Sequence, residues 1–509
     1  MKLNKLSLLC AVACAGFAGQ ASAQLSTVPA AVTIVNDANA NGRVLFISGA
    51  SAVQAGFNQI AGKLLQPTGQ YTFTPLATSG RTNSDYRAIA GKLATSAGGW
   101  AAGSNVIIIN RARGGSVQGV NPVARGQAIE SLNVTVASCT AGSGVAFTCG
   151  LNTRVPDAGV SDVAPALFDA LYNTEGEPAE PALDAAELAS LTATPIYGLA
   201  FGLPMTRNLP LFNINKSAVS AIMTGNVGTW NAVNASLPAD DILVCRRVNG
   251  SGTQAVSNLY YGNYPCDTAT RLNAPADRTS GAAWNGVNGF VVEGGTGALN
   301  VVENSTSGNV RDCMNNAQDA TAKPFNAAAV PGTLSADGKT IVGAVGYTGY
   351  VTGDRAGNPV AVQFRDGMAH KAVGVLSMDS LSSSTTTSKW SFRALDGAGE
   401  ITWTGAIGTA PVTTGTGRLP TLANLVDGTW DQQGWISFNV PATTTGNKAA
   451  LAADFVTAAQ DPAILQGLTG LRYAAASVPG TVDTSPLGGQ VLRAGYVNGD
   501  QCAPLNRNN

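Results

Sequence analysis

One local pattern constrains this chain more than any other. An apolar run is followed by a turn of glycine and small hydroxyl residues, and then by a segment with helical spacing. "RVLFISGASAVQAGFNQIAGKLL" (43–65) is the first instance. Val44 to Ile47 is an uninterrupted apolar run, as expected of a strand buried on both faces. Gly49 and Ala50 form the turn, and Val53, Phe57, Ile60 and Leu64 recur at helical spacing. "NVIIINRARGGSVQGV" (105–120) and "AGVSDVAPALFDALY" (158–172) repeat the pattern, and "DILVCRRVNGSGT" (241–253) supplies another strand and turn. Apolar strands that lead into helices predict an open α/β sheet with its sites at the C-terminal ends of the strands.

Elsewhere, "NKSAVSAIMTGNVGTW" (215–230) predicts a helix capped by Asn215, with Val219 and Ile222 facing inward and Gly225 ending it. A further helix is predicted over 447–460. Residues 374–440 are rich in Thr, Ser and Gly, and runs such as "ITWTGAI" predict short antiparallel strands or an elaborated loop region. The acidic, proline-broken stretch "GEPAEPALDAAELASL" (176–191) predicts an exposed connection. No longer internal repeat is visible.

At 509 residues the chain is long enough for two or three domains. Its net charge of -1 supplies no global field for nucleic acid or an anionic membrane, so any anion site must be local. Residues 1–23 predict a signal peptide: Lys2 and Lys5, a short apolar core from Leu6 to Phe17, then "ASA" before Gln24. No later run approaches the ~18 apolar residues of a membrane span, so stable membrane insertion is not expected and the mature chain is expected to be periplasmic or secreted. Cys10 and Cys14 leave with the signal. Six cysteines remain, an even number that favours disulfides in an exported chain. Sequence leaves fifteen connectivities open. The pairing expected here is Cys139–Cys149, Cys245–Cys266 and Cys313–Cys502, two short loops and a tether for the C-terminal tail.

Turns of small residues present backbone N–H groups, and a following helix adds its positive end. Four such turns occur, at 48–53, 113–118, 160–162 and 250–253, and only the last follows an arginine pair, Arg246 and Arg247. Catalysis has little support. There is no nucleophile elbow, no phosphate-binding loop with its lysine, and no zinc-protease helix, and "GGTG" (294–297) fails the dinucleotide pattern. His370, the single histidine, is expected to be structural, and Asp162 has no marked partner nucleophile. No enzyme activity, metal or cofactor is therefore expected.

These segments together resemble the periplasmic phosphate-binding proteins of phosphate ABC importers. "CRRVNGSGTQAVSNLYY" (245–261) is similar to that family's Arg-Arg motif, in which the pair is followed by x-Asp-Gly-Ser-Gly-Thr. "AVSAIMTGNVGTWNAV" (218–233) resembles the helix just upstream of it, and "LFISGASAVQAGF" (45–57) the N-terminal turn. "RGGSVQGV" (113–120), "AGVSDVAPALF" (158–168), "GAVGYTGY" (343–350) and "LQGLTGLRYAAAS" (465–477) resemble further family segments, in family order. Two positions depart from the pattern: the first turn has Val53 where the family has threonine, and the arginine motif has Asn249 where it has aspartate.

The resemblance implies a two-domain type II periplasmic binding-protein fold, α/β with the ligand cleft between lobes and with short-strand insertions. The lobes would be 24–200 with 345–509, and 201–344. It implies that phosphate is bound by Arg247, Ser251, Gly252 and Thr253, by backbone N–H of Val53 and Gln54, by Ser116 (or Gly115 with a one-residue shift), and by Asp162, with Asn249 alongside. Asp162 would accept the ligand's hydrogen, which sulfate lacks. An unprotonated oxygen against that carboxylate is repelled, so sulfate would be rejected. The expected partners are phosphate or a similar oxyanion and an ABC permease, with no nucleic acid, and the expected state is a monomer. The alternative readings are the same fold binding another small oxyanion and a secreted structural or adhesive protein.

Overall fold

The computed structural model describes residues 25–51, 54–79, 81–83, 85–174, 180–266, 274–279, 284–285, 289–377, 380, 387–395, 399–402, 412–415, 430–461, 464, 474–475, 494–496, 500–503 and 505–507. The expected signal peptide (1–23), Val53, and all of the 465–477 segment except Ala474–Ala475 lie outside the described residues.

The expected α/β architecture is present. The strands used below are β1 (Val44–Gly49), β2 (Tyr71–Pro75), β3 (Tyr86–Lys92), β4 (Asn105–Arg111), β5 (Cys139–Ser143), β6 (Ala146–Cys149), β7 (Ala158–Ser161) and β8 (Leu191–Thr206). They continue with β9 (Ile242–Arg247), β10 (Gly289–Val292), β11 (Asn300–Asn304), β12 (Tyr347–Gly353), β13 (Pro359–Arg365), β14 (Lys371–Gly374), β15 (Trp390–Leu395) and β16 (Gln433–Pro441). The helices are α1 (Pro29–Ala40), α2 (Gln54–Lys63), α3 (Lys216–Met223), α4 (Gly252–Gly262), α5 (Ser307–Ala322) and α6 (Gly446–Gln460). One large sheet carries the order β11-β9-β14-β8-β16-β7-β1-β4-β3-β2-β6-β5 along its main path.

Burial of β1 on both faces explains its sequence. Successive side chains on a strand point to opposite faces. Val44 and Phe46 enter a core with Ile34 and Val35 of α1, whereas Leu45 and Ile47 enter the main core with Phe57 of α2 and Phe455 of α6. With no face left to water, the run has no polar alternation. β1 runs parallel to both β4 and β7, so the turns after all three strands emerge at one edge. In the other half β9 runs parallel to β11 and β14, and its turns emerge likewise. β8 joins the halves: Leu191–Ala200 pairs with β16, and Leu203–Thr206 pairs with β15. Pro195 sits at the register shift of this strand, where its missing N–H does not interrupt the ladder.

Several expectations need correction. The pairing Cys139–Cys149 is present, but the other two are Cys245–Cys313 and Cys266–Cys502, not Cys245–Cys266 and Cys313–Cys502. Proximity in sequence misled here. Cys245 points from β9 to α5, whose Val310, Cys313, Met314 and Ala317 form its buried face, while α4 carries the chain about 16 Å away before Cys266. The segment after β7 makes 3-10 turns at Pro165–Asp169 and Leu171–Asn173 rather than a helix. Phe168 leaves helical dihedrals there, and the Asn173 side chain donates to the Leu167 carbonyl at 2.9 Å.

Within 374–440, Gly399–Thr402 and Val412–Gly415 form the expected antiparallel pair. The end of that region, however, enters β16, a nine-residue strand at the centre of the sheet, buried along nearly its whole length. The 176–191 stretch is not simply an exposed connection. Glu180 is buried against Arg125 at 3.0 Å, and Asp184 and Glu187 form a capping box on the short helix Ala185–Ala189. Residues 347–374 pair with the half that holds β9: β13 with β10, β12 with β13, and β14 with β9. The chain rejoins the first half through β16, which pairs with β7. Among the described residues, no helix is long and apolar enough to cross a membrane.

Candidate functional site

A cleft of about 710 Å³ lies between the two halves, where the turns after the parallel strands meet. From the β1–β4 half, Ser51, Gln54, Arg81, Asp85, Arg113 and Gly115 line it. From the β9–β11 half come Arg247, Thr253, the turn Ser305–Asn309, Arg311, Asp337 and Lys339. Five of the lining residues are cationic (Arg81, Arg113, Arg247, Arg311, Lys339) and two are acidic (Asp85, Asp337). A chain of net charge -1 therefore concentrates positive charge in one place.

The two arginines of "CRRVNGSGTQ" separate because neighbours on a strand face opposite ways. Arg246 turns away from the cleft. Its guanidinium donates to Asn249 Oδ1 and, at 2.5 Å, to the Ala276 carbonyl, and it lies 3.8 Å from buried Glu303. Arg247 faces the cleft. It is 4% exposed and donates to Asn304 O (3.2 Å), Ser305 O (2.7 Å) and Ser307 Oγ (3.1 Å). Three bonds from one planar guanidinium fix its orientation before any ligand arrives. Gln254 adds a further restraint, its Oε1 accepting from the Arg247 backbone N–H at 3.2 Å.

Behind this lip the two halves touch. Val117 N–H donates across to Gly250 O at 2.9 Å. Gly115 has φ +86°, and a Cβ there would lie 2.6 Å from Gly250 O. Gly252 begins α4, and a Cβ on it would lie 2.2 Å from Ser116 Oγ, 2.5 Å from Asp162 Cβ and 2.6 Å from Asp162 Oδ2. Only glycine lets Ser116 and the Asp162 carboxylate approach this helix start. The Asp162 backbone N–H donates to Ser116 Oγ at 3.1 Å, and both residues are buried. The first turn of α4 presents N–H groups without intrahelical acceptors, and its positive end favours anions.

Gln54, Arg247 and Thr253 line the cleft, as does Gly115, the alternative to Ser116. Ser116, Asp162 and Gly252 meet in the buried cluster just described. Ser251 is the buried N-cap of α4, without a side-chain capping bond. Asn249 accepts from Arg246 rather than lining the cleft.

Sequence reading missed the turn Ser305–Asn309. Its signal was visible: "NVVENSTSGN" (300–309) is again an apolar run, a small hydroxyl turn and a helix start. Thr306 caps α5, accepting from the Asn309 N–H at 3.1 Å. Reading also missed Arg81, which is held by Glu130 through bonds of 2.8 and 3.3 Å. Burial pushes the Glu130 carboxyl up, but hydrogen bonds from Arg81 and Tyr86 outweigh it and leave its pKa lowered. His370 is not among the cleft-lining residues; it is buried, its Nε2 2.8 Å from Arg365 O, and desolvation lowers its pKa.

No family model matches the sequence, and no curated protein matches it. Solved structures with similar chain paths include a putative phosphate ABC transporter substrate-binding protein with bound phosphate from Clostridium perfringens. It is 11% identical, covers 83% of this chain and 96% of its own, and has a TM-score of 0.38. An ABC-type phosphate transport receptor from Vibrio cholerae is 10% identical, with 83% and 97% covered and a TM-score of 0.36. A phosphate binding protein from Stenotrophomonas maltophilia is 12% identical, with 82% and 84% covered and a TM-score of 0.36.

Proposed function

We propose that this chain is a non-catalytic binding protein that captures a phosphate-type oxyanion in the cleft between its two halves. One observation carries the reading. A fixed guanidinium (Arg247) and a hydroxyl (Thr253) line the cation-rich cleft, and directly behind Thr253 the helix start at Gly252 meets Ser116 and the Asp162 carboxylate. Cations and N–H donors alone would accept any small anion. The carboxylate adds a filter, because it tolerates only an anion that offers it a hydrogen. Hydrogen phosphate does so, and sulfate does not. Delivery to an ABC permease and export to the periplasm are part of the proposal. Export is supported by three disulfides, which persist in oxidising compartments, and by the signal-like N-terminus.

Calorimetry with phosphate and sulfate tests the reading. The parent protein should bind phosphate and discriminate against sulfate. Arg247→Ala should weaken phosphate binding by tens to thousands of fold, the span of about 2–5 kcal/mol for a buried charged contact. Arg247→Lys keeps the charge but loses the planar fork, and should recover only part of the affinity. A parent that binds neither anion, or variants that bind phosphate as the parent does, would defeat the proposal.

A further inference from the structure

The cleft is far larger than orthophosphate needs. A water molecule's share of liquid is ~30 Å³, and a five-atom oxyanion fills only a few such volumes. The cleft encloses about 710 Å³, within the range of sites for metabolite-sized ligands. Its remaining space is not lined neutrally. Arg311 stands one turn into α5, and its side chain donates to Ser380 Oγ at a long 3.4 Å. Lys339 is exposed on the turn Ser335–Thr340, which packs against β13 through Gly338 and Pro359. Among the described residues neither Arg311 nor Lys339 forms an ion pair, in contrast to Arg81, which Glu130 neutralises. Both lie on the same half as Arg247 and line the same cavity.

From this juxtaposition we propose that the ligand is an extended phosphate compound, a phosphoryl group that carries a second anionic group, rather than orthophosphate alone. This rests on the proposed function above. The first phosphoryl group sits against Arg247, Thr253 and Asp162. The second anionic group reaches Arg311 and Lys339, neither of which is held in an ion pair among the described residues, although Asp312 adjoins Arg311 and the Asp337 carboxylate lies beside Lys339. A bridging oxygen or short ester arm occupies the space between them. Because Arg311 and Lys339 are partly hydrated, their contribution is screened by salt more strongly than that of buried Arg247.

The test compares inorganic pyrophosphate, orthophosphate and glycerol phosphate by calorimetry, on the parent protein, Arg311→Ala and Lys339→Ala. Pyrophosphate should bind at least tenfold tighter than orthophosphate, with glycerol phosphate close to orthophosphate because its arm is neutral. Each variant should weaken pyrophosphate by roughly fivefold and leave orthophosphate unchanged. The pyrophosphate advantage should shrink between low and physiological salt. Orthophosphate bound as tightly as pyrophosphate, or variants that weaken both anions equally, would overturn the inference while leaving the proposed function in place. Glycerol phosphate tighter than pyrophosphate would overturn it in favour of a neutral-armed ester. Binding of none of the three would overturn both.

Discussion

Gly252→Ala isolates the contact between the halves from general stability. The added Cβ would lie 2.2 Å from Ser116 Oγ and 2.5 Å from Asp162 Cβ, against about 3.4 Å for ordinary contact. Roughly 1 Å must be recovered. The Ser116 hydroxyl can rotate away, but Asp162 Cβ is fixed to its backbone. Both neighbours belong to the opposite half, so the cheapest relief is to part the halves. Parting them stretches the bond from Val117 N–H to Gly250 O, now 2.9 Å, and draws Asp162 from the start of α4. Overpacking of this kind costs about 1–3 kcal/mol. Charged to the bound state, that is roughly 5- to 150-fold in affinity. The unliganded protein can relax by opening, and alanine restricts the unfolded chain more than glycine, which favours folding by about 0.4–1 kcal/mol. Gly252→Ala should therefore lose phosphate affinity in calorimetry while keeping its melting temperature within a few degrees. Parent-like affinity would show that this contact is not made in the bound state. Loss of affinity together with a large fall in melting temperature would show that the contact belongs to the fold rather than to binding.

Four further outcomes follow from named groups. Asp162→Asn replaces an acceptor with a group that can donate, so sulfate affinity should rise on the order of tenfold and discrimination against it should fall, as competition calorimetry would show. Nonreducing peptide mapping should recover Cys245 with Cys313 and Cys266 with Cys502. Replacing Cys245 and Cys313 together by alanine releases a bridge with a sequence separation of 68, worth about 4 kcal/mol in the chain-entropy picture and readable in urea unfolding. His370, the single histidine, has a lowered folded pKa, so the unfolded state binds more protons as pH falls below the ordinary histidine value. Its contribution to stability is intact above that value and is lost as pH drops toward the folded pKa. Thermal unfolding of His370→Gln should lose less stability than the parent between pH 7.5 and 5.5, and an identical loss would place the pH dependence elsewhere.

What the sequence determined is local. Val44–Ile47 and Val106–Ile109 announce buried strands because burial on both faces leaves no place for alternation. Gly49, Gly115 and Gly250 announce the turns, because all three have positive φ. Asn215 announces a helix start because its side chain reaches Ala218 N–H within one turn, at 2.7 Å. These signals act over a few residues and survive without neighbours. Tertiary structure decided everything that depends on distant segments. The resemblance pointed to Arg247 rather than Arg246, but what holds each is tertiary: Glu303 and Asn249 take Arg246 while Ser305 and Ser307 turn Arg247 to the cleft. Cys245 met Cys313 because α5 packs on β9, and no spacing rule encodes that packing. Residues 433–441, polar and glycine-bearing at their start, became a central strand because they pair on one side with β7 and on the other with β8. Arg311 and Lys339 gained meaning only when folding brought them to the wall that holds Arg247. A lone exposed cation carries no local signal, and its role is set by what stands across the cleft from it.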